Sequence, residues 1–99
     1  MFTKIRGVTF NNRQENIKQL KVGELLKLIK SPSEYHNKAI LITTQEGKEL
    51  GFLSRNIADK SFDALTEVNY YCKVLNLTGN THLGVNIYLK VHINGSYTT

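Results

Sequence analysis

The chain has 99 residues, enough for one domain with its own core and hardly enough for two. With 40% hydrophobic and 21% charged residues it is not a disordered polymer, and no apolar run approaches the roughly 20 residues that span a bilayer. The net charge is +5, and nine of the 13 Lys and Arg residues fall in the first 50 positions against five of the eight acidic ones, so the first half reads as the basic half.

Phe2 to Phe10 reads as a first strand, broken by Gly7. Val22 to Ile29 is ambiguous. Val22, Leu25, Leu26 and Ile29 fit one face of a helix, whereas Leu26 and Leu28 fit one side of a strand. Pro32 to Lys38 reads as a loop. Lys38 to Thr44 and Leu50 to Leu53 follow as a hairpin, turning at QEGKE with Gly47. Ser54 to Leu65 is the best helix, with Ser54 able to cap it. Val68 to Leu77 and Leu83 to Ile93 alternate with period two and are joined by LTGNTHLG, which suits a hairpin. Tyr70, Tyr71 and Tyr88 suggest an aromatic stripe, with one or two of them turned inward. The domain is expected over residues 1–93, with a fraying tail over 94–99. This pattern predicts a mainly β domain, a small barrel or sandwich, of five or six strands with one or two short helices.

Cys72 is the only cysteine, so no internal disulfide can form. His36, His82 and His92 lack the paired spacing of a zinc site, and no cofactor is expected. The opening MFTKIRGVTF lacks the apolar stretch of a secretory signal, so cytoplasmic residence is expected. No phosphate-loop motif, nucleophile triad spacing or carboxylate pair supports an enzyme.

Four segments in order carry a resemblance: GVTF (Gly7–Phe10), LKVGELLKL (Leu20–Leu28), SPSEYHNKAILI (Ser31–Ile42) and GKELGFLSRNIA (Gly47–Ala58), followed by two closing strands. Together they resemble the HIRAN domain over nearly the whole chain. The resemblance implies a small OB-like β-barrel of about six strands with two short helices. It also implies a strand over Glu24 to Ile29. The expected function is binding of single-stranded DNA, with 3′ ends as the candidate target, beside a helicase or nuclease partner in replication or repair.

The resemblance places the interface on Phe10, Asn11, Tyr35, His36, Lys38, Phe52 and Arg55. Phe10, Tyr35 and Phe52 would offer rings to bases. Arg55 would meet phosphate at the start of the helix. Phe10 and Phe52 read more readily as core residues, since Phe buries well. Several positions depart from the family pattern. Thr9 stands for an arginine, Asn11 for a second aromatic, and Lys38 for a small Asn. His36 stands for the aspartate that receives a 3′-hydroxyl. Neutral histidine accepts one bond and its cation accepts none, so weaker discrimination for a free 3′-hydroxyl is expected. Glu34 is a carboxylate that could restore it by turning inward. The alternative reading is a β-domain that docks a protein and binds no nucleic acid. It predicts an exposed apolar patch or strand edge.

Overall fold

The computed structural model describes residues 1–93 and 96–98. The strongest alternation in the chain makes its longest strand. In β6 (Gly84–Ile93), Val85, Ile87, Leu89 and Val91 are buried and their neighbours turn outward. Each such side chain contributes about 1.5–3 kcal/mol on burial. β5 (Tyr70–Thr78) pairs with β6 in antiparallel register, with a bulge between Val74 and Asn76. β1 (Phe2–Lys4) lies on the other side of β6, with Phe2 opposite Tyr88. β7 (Ser96–Thr98) pairs with the end of β6 on that same side. The expected fraying tail therefore includes a strand over Ser96–Thr98, while residues 94, 95 and 99 lie outside the described residues.

A second antiparallel sheet has the order β2 (Lys27–Lys30), β3 (Ile40–Thr43) and β4 (Glu49–Phe52). The ambiguous stretch resolves as strand: Leu26 and Leu28 are buried while Leu25 and Ile29 are exposed. A helix would have put Leu25, Leu26 and Ile29 on one side. The β3–β4 hairpin turns where expected. Thr44 Oγ1 accepts from Lys48 N, and Gly47 takes φ 92°, a left-handed value that glycine adopts without strain.

Two isolated bridges join the sheets. Arg6 and Phe52 exchange backbone hydrogen bonds of 2.8 Å, and Leu25 faces Lys73 with Leu26 N donating to Cys72 O at 2.8 Å. Side chains of both sheets meet in one core that includes Ile5, Leu26, Ile42, Leu50, Val74 and Ile87. The fold is thus mainly β, with two sheets and two short helices.

The first strand is shorter than its sequence suggests. It ends at Lys4, apart from the Arg6 bridge, because Gly7, Asn11 and Asn12 all take positive φ and turn the chain. Asn tolerates that region because its short side chain bonds locally. The turn delivers α1 (Arg13–Ile17), a helix that the apolar pattern does not announce. Ile17 is its apolar anchor. Arg13 is buried, donating to Gly7 O at 2.8 Å and Glu49 Oε1 at 3.3 Å. The Gln14 amide clamps the turn to the far hairpin, donating to Val8 O and Leu83 O and accepting from Leu83 N. The second helix, α2 (Arg55–Ser61), starts where expected but ends at Ser61, short of Leu65, with a turn over residues 62–64. Ser54 Oγ accepts from Ile57 N at 3.5 Å.

Candidate nucleic-acid interface

The loop over residues 31–39 leaves β2 and returns into β3, closed by Ser31 N donating to Ala39 O at 2.8 Å. Inside it, Ser33 Oγ accepts from His36 N. Helix α2 and the turn that follows it lie against this loop and fix it at three points. Arg55 Nη2 donates to Tyr35 O at 2.8 Å. His36 Nε2 lies 2.9 Å from Asp59 Oδ1, and Lys38 Nζ 3.1 Å from Asp63 Oδ2. Residues 55, 59 and 63 are four apart, so they rise along one side of a helical segment. That spacing was visible in the sequence, but the loop partners of Asp59 and Asp63 were not.

The result is a held loop with a free ring. Tyr35 is 83% exposed although its backbone is tied. Phe10 is 65% exposed at the tip of the turn before α1, so it belongs neither to the core nor to a strand. Phe52 is half-buried, with the Arg13 guanidinium 5.1 Å from its ring centre. Phe52 links the two groups. Its backbone bonds to Arg6, next to the Phe10 turn, and Arg55 follows three residues later, within about 11 Å along the chain. Asn11 is exposed at φ 55° and serves the turn.

The electrostatics differ from the sequence expectation. His36 and Lys38 each face a carboxylate, so neither is an unpaired cation for phosphate. Arg55 is exposed and spends one nitrogen on a neutral carbonyl. Glu34 is exposed and makes no contact with His36; Asp59 supplies the carboxylate there instead. Among the described residues, no group of three or more His, Cys, Asp or Glu could hold a metal ion. Cys72 is a free thiol beneath the sheet, and burial pushes it up to about 12.

None of the seven predicted residues lines the two clefts between the sheets. The larger, about 740 Å³, is bordered by Leu28, Lys30, Leu65, Val68 and Tyr70 among others. The smaller, about 270 Å³, shares Val68 and Tyr70. Both lie where β2 and β5 separate. Extending the Leu25–Lys73 register would place Leu28 opposite Tyr70 and Lys30 opposite Val68, yet β2 is the edge of its sheet there.

No protein-family model matches the chain, and neither a curated protein nor a solved structure matches it. Among the described residues, no helix is long and apolar enough to cross a membrane.

Proposed function

We propose that this domain binds single-stranded DNA at the rim formed by the 31–39 loop, the turn at Phe10 and the start of α2, in the manner of a HIRAN domain. The observation that carries the reading is Tyr35, an exposed ring on a loop held in place by Arg55. A ring carried on a held loop stacks on a base with less backbone entropy to lose. Phe10 and Phe52 extend the ring set, and the free nitrogens of Arg55 are available to phosphate. Asp59 beside His36 is the anion that a terminal hydroxyl would use in place of the family aspartate. The two inter-sheet bridges support an OB-like barrel as the frame. Catalysis would belong to a separate helicase or nuclease, and the single buried free thiol suits a reducing cytoplasm.

The test is fluorescence anisotropy with short unpaired DNA. Tyr35→Ala is expected to lose about 1–3 kcal/mol of binding with the fold intact. Equal binding by Tyr35→Ala and Arg55→Ala would reject the rim as the interface.

A second reading, docking of a protein segment, has one observation in its favour. The outer edge of β2 is open beside Val68, which is 89% exposed, and carries Lys27 and Lys30. An extended acidic peptide would add a strand there. Shifts of the Leu28 and Lys30 backbone amide signals on adding a Glu/Val peptide would support this reading, and unchanged amides would dismiss it.

A further inference from the structure

The outer face of the four-stranded sheet combines rings and cations without a single carboxylate. Burial of alternate residues turns Tyr88 and Lys90 outward on β6, Tyr71 and Lys73 on β5, and Phe2 and Lys4 on β1. The register sets Phe2 and Lys73 on either side of Tyr88, and Tyr71 opposite Lys90. The rings form a row. Phe2 and Tyr88 have centres 5.2 Å apart, and Tyr71 and Tyr88 6.3 Å apart.

The charge is placed to match. All eight acidic residues of the chain lie between Glu15 and Glu67, where eight Lys and Arg residues balance them. Outside that segment the Lys and Arg residues are Lys4, Arg6, Arg13, Lys73 and Lys90, with no Asp or Glu beside them in the sequence. Of these, Arg13 is buried against Glu49. No ion pair with a carboxylate engages the other four among the described residues.

We propose that this face is a second binding surface, on which bases of an unpaired DNA strand stack on Phe2, Tyr88 and Tyr71 while Lys4, Lys73 and Lys90 meet its phosphates. Lys73 rests 6.0 Å from the Tyr71 ring centre and Lys90 5.5 Å from that of Tyr88. An exposed cation–π contact shifts an equilibrium only about 2- to 5-fold. A stacked base is worth about 5- to 150-fold, so bases displace the ammonium groups toward phosphate. A second copy of the chain fits poorly, because pairing the face with itself sets lysines against lysines. Asn86 Nδ2 donates to Asn76 Oδ1 on the same face, which holds these two amides against each other. Lys4 and the exposed Arg6 continue the positive charge along the chain toward Phe52. The proposal shares with the rim reading only the choice of DNA as ligand.

The experiment is anisotropy with an unpaired thymidine strand of about 12 nucleotides, within the usual span of such surfaces. Phe2→Ala/Tyr71→Ala should weaken binding by about tenfold or more, and Phe2→Tyr/Tyr71→Phe, which keep the rings, should bind within about twofold of the parent. Because β1 is short, Lys4→Gln/Lys90→Gln serves as a second variant that leaves the rings in place. It should flatten the logarithmic salt dependence by about 1.4. Loss in these variants with Tyr35→Ala/Arg55→Ala unaffected supports the face and rejects the rim. Loss only in the rim variants overturns the face and leaves the rim standing. Tighter binding of RNA than DNA, or of polyglutamate in place of DNA, also overturns the proposal.

Discussion

The loop–helix rim and the outer face of the four-stranded sheet both display aromatic rings and basic residues, but two of the three basic rim residues face carboxylates and, among the described residues, those of the sheet face none. At the rim, His36 faces Asp59 and Lys38 faces Asp63. On the sheet, Lys4, Lys73 and Lys90 stand in strands that contain no Asp or Glu. Formal charge attracts phosphate only to the extent that it is not already matched nearby. The rim, where Arg55 alone keeps free nitrogens, is therefore mainly a place for rings and shape, and the sheet face a place for rings and charge.

The largest effect expected from separating the two regions is at Gly51. It has φ 149°, and a Cβ there would meet the Arg6 carbonyl and the Ile5 side chain. Gly51→Ala should cost about 1–3 kcal/mol of stability and loosen the Arg6–Phe52 connection that holds the Phe10 turn. Denaturant melts with the tyrosine and phenylalanine environment as readout would check it. Unchanged stability would mean that the close approach of β4 to Arg6 is not needed.

Next in size is a contrast in salt dependence. Lys90→Gln should reduce the logarithmic salt slope of DNA binding by about 0.7, while Lys38→Gln should leave it nearly unchanged. Equal slopes for the two variants would erase the distinction between the regions. The converse substitution sharpens it. Asp63→Asn frees Lys38 from a surface pair worth about 0–1 kcal/mol and removes a negative charge, so DNA affinity should rise a few-fold. Titrations at two salt concentrations would measure all three.

The smallest effect at neutral pH comes from Cys72, beneath the sheet face. Its thiol is raised from the ordinary 9.0 to about 12 by burial. Above the lower value the unfolded chain loses the thiol proton while the folded chain keeps it, so the folded state binds more protons. Stability should therefore fall as pH rises from 9.0 to about 12, and Cys72→Val should remove that slope. Alkaline melts test this. Slow labelling of Cys72 in the face and rim variants would also show that they remain folded.

Much of the fold was legible because burial follows local period. The alternation of Val85 to Val91, the Gly47 turn and the Ser54 cap each act within a few residues. The helix at Arg13–Ile17 was not legible, because one apolar residue and a buried arginine give no amphipathic stripe. Dividing the chain into halves put the positive charge in the first half. The fold instead brings Lys4 from the beginning of the chain onto one sheet with Lys73 and Lys90 near its end. Arg55 Nη2 donates to the Tyr35 carbonyl, a contact between positions 20 residues apart that the sequence pattern does not announce. The carboxylates that face His36 and Lys38 come from α2 and the turn after it, more than 20 residues away, a pairing that only tertiary structure makes.

The most direct measurement is the binding of the parent protein to an unpaired strand of about 12 nucleotides as salt is raised from about 50 to 200 mM. With the three lysines of the sheet face engaged, the logarithmic slope should be near −2, at about −0.7 per phosphate. Absence of binding at the low-salt end, or binding that does not change with salt, would contradict single-strand recognition by this domain.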